Sequence, residues 1–545
     1  MKSDMQIIIG GAAGEGSKKA GFLIAKLFNA YGYRVFIHED YESVIKGGHN
    51  FSHISVSREE KNAISEEIDF LLALNKETVV RHGEKLSEEG VLLYDSNLTE
   101  EPETNKKKVG IPLNDIVSEA GGIVLMKNTA LVSAFSKMIG MDFEKVKEVL
   151  KRELPVKTEK NLQVAEIAHQ KVEKLKEIEE TESSPMPFLS GNEAIALGAV
   201  AAGLENYFGY PMTPSTSILQ FLCNVEGVRT FQPESEIAVV NSALGSAYAG
   251  RRTMIGTSGG GFALMTEGIS FSAQSETPLV VVLSQRMGPA TGVPTYEAQA
   301  DLLFALNSGH GDMMRFVVAP GDVDEAYYLS GKALNISWKY QLPSIILLDK
   351  ELSENTYNFK KEYLVEKEEV AKAENSENYN RYEGEDVSPL LFPGEGGVVK
   401  TTGYEHDKKG IATENAEDIK KMHDKRLRKY EKLKEELKDF EVAKTYKEGS
   451  VAIVFWGSTK GTVIEATKGM NVKLIQLLVI QPFLEEKIKE LFNGIEKVIS
   501  VEMNATSQMT QVLRMHGINV DVNITKYDGR PFTIEELKKE IEKNL

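Results

Sequence analysis

At roughly 150 residues per domain, a chain of 545 residues has room for about three or four hydrophobic cores, which argues against one compact fold. Acidic residues outnumber basic ones, 81 to 64, for a formal net charge of −17, and no basic run offers a footprint for a phosphate backbone, so nucleic acid is not an expected partner. The single cysteine, Cys223, excludes an intrachain disulfide and any iron-sulfur cluster held by four thiolates of this chain, so a redox centre served by the protein is expected elsewhere.

The chain opens with Ile7-Ile8-Ile9, a short buried-strand signal, without the apolar core of a signal peptide. A glycine-rich loop, Gly10 to Gly16, follows, and then a helical pattern carrying Leu23, Leu27 and Ala30 on one face. Such a loop, placed between strand and helix, converges backbone N–H groups on one point and can hold phosphate. The spacing G-x-G-x-x-G fails, because position 19 is Lys, although Glu39 and Asp40 stand where a ribose-binding acid would. Dinucleotide binding, another phosphate-bearing ligand and a plain tight turn all stay open. Lys46-Gly47-Gly48-His49 reads as a second glycine turn.

Further strands are predicted at Val35 to Ile37, Phe70 to Leu74 and Val91 to Tyr94, an alternation that points to a parallel α/β sheet. A charged helical stretch from about Glu144 to Glu180 is broken by Glu182 to Pro187. A second α/β block runs from Gly191 to about Leu352, with an apolar helix from Ala194 to Leu204 and strands at Thr253 to Thr257, Leu279 to Ser284 and Ser344 to Leu348. Glu374 to Asp386 and Pro393 to Gly397 read as loop or insertion. A charged helix from about Ala416 to Lys444 leads to a last α/β block that begins at Val451 to Trp456 and ends in a helix over Ile534 to Lys543. No run reaches the roughly 20 apolar residues of a membrane span, so a cytoplasmic chain without a membrane partner is expected.

The chemistry-bearing residues fall in the second block. Tyr210-Pro211-Met212-Thr213-Pro214-Ser215 sets Thr213 between two prolines that restrict the backbone; locally this is a good helix N-terminus. Glu236 opens a small-residue helix running to Gly250, where the helix dipole alone explains a carboxylate and where a buried functional acid is also at home. Thr257-Ser258-Gly259-Gly260-Gly261 is a glycine run after a strand. Arg286 ends the strand Leu279 to Ser284, beyond which ligands of open α/β sheets bind, so it is placed to meet an anion.

Taken together, Asn192-Glu193-Ala194 to Ala199, Tyr210 to Ser215, Glu236 with its helix, Thr257-Ser258-Gly259 and Gly288-Pro289-Ala290-Thr291-Gly292 resemble the α subunit of the 2-oxoacid:ferredoxin oxidoreductases. Gly10 to Gly16 with Gly47-Gly48 resembles the γ subunit of the same enzymes, fused in front of α, and Gly457-Ser458 through Asn504 resembles a transketolase C-terminal-like domain. The resemblance implies an α/β fold of three modules: a γ-like domain over 1–180, a linker over 181–190, a thiamine-diphosphate pyrimidine-binding domain over 191–360, an insertion and charged helical connector over 361–448, and a transketolase C-terminal-like domain over 449–545.

It further implies CoA-dependent oxidative decarboxylation of a small 2-oxoacid to acyl-CoA and CO2, with electrons passed to ferredoxin. The thiamine diphosphate is shared with a β subunit that holds the diphosphate, Mg2+ and an iron-sulfur cluster in an (αβ)2 heterotetramer. In this chain the nearest approach to a diphosphate motif is Gly311-Asp312-Met313 with Asn335, which lacks the third glycine and reads as a loop, so no metal is assigned here. By the same resemblance Glu236 hydrogen-bonds the pyrimidine nitrogen N1′, Thr213 and Arg286 hold the substrate, and Tyr210, Pro211, Thr257 and Ser258 complete the cofactor side. Two departures bear on this. Lys46 stands where the γ-like motif often has Arg. Tyr296 stands where a basic residue is often found, which weakens the expectation of a dicarboxylate such as 2-oxoglutarate and fits a mid-sized or broad 2-oxoacid range equally. A scaffold subunit with a lapsed thiamine site and a transketolase-like transferase without electron transfer are the competing readings.

Overall fold

A computed structural model describes residues 4–44, 47–374 and 377–545, and its secondary structure is mixed α/β with sheets of eight, seven and five strands. Lys46, and residues 375 and 376 of the expected loop Glu374 to Asp386, lie outside the described residues. The chain divides into two compact units.

The first unit comprises Met1–Phe188, Asn355–Lys360 and Phe532–Lys539. Seven strands of the eight-stranded sheet run in the order Lys107–Ile111, Leu86–Asp95, Ile68–Ala73, Met5–Ala12, His49–Ser57, Arg34–Tyr41, Thr356–Asn358. Alternation along Met5–Ala12 sends Ile7 and Ile9 into a large core with the helices Ser17–Ala30 and Lys127–Met138, and Ile8 into a smaller one on the opposite face. The expected all-parallel sheet is corrected here. His49–Ser57 inserts antiparallel between Met5–Ala12 and Arg34–Tyr41, and only the Ile68–Ala73 side is parallel. This strand has no apolar run to announce it. Two of its buried serines are paired across the sheet instead, Ser52 Oγ donating to Glu39 Oε2 at 2.9 Å and Gln6 Nε2 to Ser55 Oγ at 3.0 Å.

The glycine loop is closed on itself: the Glu15 carboxylate accepts from Ala12 N at 2.7 Å and Asn75 Nδ2 at 3.2 Å, so a side chain of the protein occupies the position that a phosphate would take. This favours the tight-turn reading of Gly10 to Gly16. The single charged helix expected over Glu144 to Glu180 is two, Phe143–Glu153 and Thr158–Gln170, separated where Lys157 adopts φ of +55°.

The second unit comprises Leu189–Glu354, Lys361–Pro531 and Glu540–Leu545. Its seven-stranded sheet has the order Val479–Gln481, Phe316–Val318, Pro343–Asp349, Leu279–Gln285, Thr253–Thr257, Asn206–Gly209, Arg229–Phe231, parallel except at Val479–Gln481. The Leu279–Gln285 and Pro343–Asp349 strands are buried on both faces, as their unbroken apolar runs predict. The five-stranded sheet, Ala443–Thr445, Lys473–Leu477, Val451–Trp456, Lys497–Glu502, Val522–Thr525, is parallel apart from its first strand. Lys444 is therefore a strand residue and not the end of the charged helix, which spans Ala416–Glu436.

Two polar clusters fasten this unit. Glu276, fully buried, accepts from Lys425 Nζ at 2.7 Å and from Lys429 Nζ at 2.7 Å, tying the turn before Leu279–Gln285 to the helix Ala416–Glu436. Gln299 joins the two sheets: its side chain donates to Asp349 Oδ2 at 2.9 Å and Trp456 O at 3.1 Å and accepts from Met503 N at 3.0 Å. The segment after Arg286 is thereby clamped against the C-terminal sheet. Asn335, weighed above as a metal-ligating partner of Asp312, lies on the helix Val323–Tyr340 and accepts instead from Arg252 Nη1 at 2.7 Å and Glu368 N at 3.1 Å.

Candidate active site

Four neighbouring parallel strands of the seven-stranded sheet, Arg229–Phe231, Asn206–Gly209, Thr253–Thr257 and Leu279–Gln285, end on one edge. The residues singled out in the sequence follow those ends in turn: Glu236 after the first, Tyr210 to Thr213 after the second, Thr257 and Ser258 at the third, Arg286 after the fourth.

Glu236 is the first residue of the helix Glu236–Tyr248, whose N-cap Ser235 accepts from Ala238 N. Its side chain is buried at 5% exposure and makes no hydrogen bond or ion pair with any described residue. It lies against the helix Gly259–Gln274, where a Cβ added to Gly261 would stand 2.8 Å from Glu236 Oε1 and would collide with Thr257 Oγ1. Glycine at 261 is thus what allows a carboxyl group to sit beside Thr257. The same helix start accommodates a second acid: a Cβ on Gly259 would lie 2.5 Å from Asp301 Oδ2. The run of three glycines is a floor flanked by two carboxyl groups.

Arg286 donates from Nη1 to the Thr213 carbonyl at 2.7 Å, joining two of the predicted residues directly. A guanidinium has five N–H donors, so this bond leaves others for a ligand. Burial pushes the Arg286 guanidinium below its ordinary value, an effect partly offset by the charge of Asp301. Burial likewise pushes Asp301 up to about 6 against the opposing charge of Arg286. Asp301 N donates to the fully buried Gln285 Oε1 at 2.8 Å, and its segment is held by the Gln299 clamp.

The helix start expected at Thr213-Pro214-Ser215 is present, with Ser215 in the N-cap position and the helix beginning at Thr216, and the Thr213 hydroxyl makes no bond with a described residue. What holds the turn is Asn192, which donates from Nδ2 to Pro214 O at 2.8 Å and to Ser217 Oγ at 2.7 Å. Ser258 is fully buried with its hydroxyl unbonded, whereas Tyr210 and Pro211 are exposed at the rim. Asn192, Gln299 and Asp301 received no role from the sequence. Only spatial proximity to Thr213 and Arg286 reveals one.

Comparison with known proteins finds relatives over nearly the whole chain. Residues 197–425 match the family model described as pyruvate flavodoxin/ferredoxin oxidoreductase, thiamine diP-bdg, and residues 6–171 match that of pyruvate ferredoxin/flavodoxin oxidoreductase. The α subunit of 2-oxoacid:ferredoxin oxidoreductase 2 from Aeropyrum pernix is 31% identical over 97% of this chain and 96% of its own, and the corresponding α subunit from Saccharolobus solfataricus is 30% identical over 98% and 96%. The solved 2-oxoglutarate:ferredoxin oxidoreductase from Magnetococcus marinus, with 2-oxoglutarate, coenzyme A and succinyl-CoA bound, superposes with a TM-score of 0.89 at 28% identity, covering 100% of both chains.

Proposed function

Because the chain belongs to the family of 2-oxoacid:ferredoxin oxidoreductase α subunits, we propose that it converts a small 2-oxoacid and coenzyme A to acyl-CoA and CO2, passing two electrons through a separate β subunit to ferredoxin. The carrying observation is the Glu236 carboxyl, buried, without a polar partner among the described residues and set beside Thr257 at the edge where the parallel strands end. Thiamine diphosphate, when bound, supplies the carbon nucleophile and the electron sink that decarboxylation requires. Every other part of the reading concerns side chains of this protein.

Glu236 holds a proton in a hydrogen bond at the pyrimidine nitrogen N1′, a role that needs a carboxyl shielded from water. Thr257, Ser258, Tyr210 and Pro211 are the other residues that would hold the cofactor on this side. Arg286 pairs with the carboxylate of the 2-oxoacid by charge-assisted bonds and Thr213 adds its hydroxyl; the bond from Arg286 to the Thr213 carbonyl sets the two groups relative to one another before substrate arrives.

Composition supports a partner chain. With Cys223 as the only thiol, the electrons leave through clusters on another chain, and we assign the Mg2+ and diphosphate site to that β subunit in an (αβ)2 complex. The domain limits proposed are those of the resemblance: γ-like to 180, pyrimidine-binding from 191 to 360 and transketolase-like from 449. Among the described residues no helix is long and apolar enough to cross a membrane. We place the complex in the cytoplasm.

Anaerobic co-expression with a cysteine-rich β chain tests the assignment: the purified complex is expected to contain thiamine diphosphate and iron, and a stable homo-oligomer lacking both would count against it. In that complex Arg286→Ala is expected to raise the KM for 2-oxoacid by about tenfold or more, with a smaller change in kcat, as for loss of a hydrogen bond to a charged group. An unchanged KM would remove Arg286 from the carboxylate site.

A further inference from the structure

Asp301 holds the N-cap position of the helix Leu302–Asn307, where an aspartate ordinarily accepts from backbone N–H groups of the first turn, yet its side chain makes no capping bond. The carboxyl lies instead against the glycine turn that opens Gly259–Gln274, where a Cβ on Gly259 would stand 2.5 Å from Oδ2 and 3.0 Å from Oδ1. Neither oxygen has a hydrogen bond or ion pair among the described residues. The backbone around it is fixed: Asp301 N donates to Gln285 Oε1 at 2.8 Å, Ala305 N donates to Asp301 O at 2.8 Å, and Leu303 N donates to Gln508 Oε1 at 3.0 Å. A rigid segment therefore presents a carboxyl group with its bonding capacity unused.

The groups that face it are few. The glycine turn carries no titratable side chain, and Glu236 stands beside Gly261 farther along it. The helix Gln508–Met515 contributes Gln508, a neutral amide that donates to Ala300 O at 2.7 Å. Arg286, following the strand Leu279–Gln285, is the one charged group that acts on Asp301 among the described residues, and it does so without a direct ion pair.

A half-buried guanidinium is stabilised by an opposite charge, and Arg286 meets two in turn. In the empty site that charge is Asp301. Once a 2-oxoacid pairs its carboxylate with Arg286, a second carboxylate beside the pair is repelled, which favours the neutral form of Asp301. Burial already holds this carboxyl at about 6, so one more negative charge nearby suffices to protonate it near pH 7. Decarboxylation then carries the substrate's charge away as neutral CO2.

From this arrangement we infer that Asp301 is a positioning residue acting through Arg286, the counter-charge that the substrate carboxylate displaces, taking up one solvent proton as the 2-oxoacid binds and returning it after CO2 leaves. The O–H bond forms and breaks at the same carboxyl group, so the exchange balances over each turnover. The inference rests on the 2-oxoacid reading above and deepens it, since it states how the charge of Arg286 is met before and after the substrate's own carboxylate is present.

The test is the pH dependence of kcat/KM between pH 6 and 8.5 for the 2-oxoacid that the complete complex oxidises best, measured by dye reduction in wild type and in Asp301→Asn. The amide keeps the size of the side chain and breaks no side-chain bond among the described residues. In wild type kcat/KM is expected to fall by up to about tenfold per pH unit above about 6, through KM, because the ionised site resists a second negative charge. Asp301→Asn is expected to lose this dependence and to show a KM about tenfold lower than that of wild type at pH 8, the result of removing the repulsion. A flat wild-type profile, an Asp301→Asn profile parallel to that of wild type, or a variant that is inactive at every pH overturns the inference and leaves the 2-oxoacid reading in place. A wild-type complex that oxidises no 2-oxoacid overturns both.

Discussion

Glu236→Gln is expected to lower 2-oxoacid-dependent dye reduction by the complete complex by about 10²–10⁴-fold, the range for losing a positioned acid-base group, while the assembled mass and thiamine content stay close to wild type. The amide has the shape of the carboxyl, so it fits the space beside Thr257 that Gly261 leaves open. It lacks only the exchangeable acid proton. Since Glu236 makes no hydrogen bond or ion pair with described residues, the substitution breaks no polar contact among them, and the loss reads the chemistry rather than the fold. Near-normal activity of this variant would show that the assigned proton carrier is wrong.

The second large effect is on stability. Glu325 is buried between the two sheets of the second unit, accepting from Lys444 Nζ at 2.9 Å and Lys460 Nζ at 2.7 Å on one oxygen and from Gly321 N and Gln476 Nε2, both at 2.7 Å, on the other. Burial alone would push this carboxyl up; Lys460 and Lys444 outweigh it and hold the group at about 2. Glu325→Ala leaves Lys460 with Asp322 and Lys444 with the more distant Glu441 carboxylate at 3.8 Å, and is expected to cost about 3–5 kcal/mol, read as a drop in the urea midpoint of the second unit. The sign with pH follows from the depressed value. The stabilisation is complete above the unfolded carboxyl's pKa of about 4.3, and it is lost as pH falls from there toward 2. Glu325→Gln is expected to remove that part of the acid sensitivity, and a variant as acid-sensitive as wild type would exclude Glu325 as its source.

The edge that carries the site was legible in the sequence because it depends on short-range signals. Apolar runs ending at Thr257 and Gln285, a proline-flanked Thr213 and an acid opening a small-residue helix each declare themselves within a few residues. The partners that orient these groups do not. Asn192 reaches Pro214, and Gln299 reaches Trp456 and Met503, across separations that no local pattern encodes. The same limit explains the fold. His49–Ser57 is a central strand with buried polar side chains, two of them serines paired across the sheet, so it lacks the apolar pattern by which strands are read. The break after Glu153 is local, since Pro155 cannot continue the helix, whereas the strand at Lys444 exists through its pairing with Lys473–Leu477.

The central claim, that this chain is the cofactor-activating and substrate-holding half of a two-chain oxidoreductase, is most directly tested by anaerobic ferredoxin reduction with 2-oxoacid and coenzyme A, comparing the chain alone with the chain plus its cysteine-rich β partner. The expected result is no reduction by the chain alone and reduction by the complex that requires both substrates and yields acyl-CoA. Decarboxylation or group transfer by the complex without any reduced ferredoxin, or a complex inert toward every 2-oxoacid supplied, would contradict it.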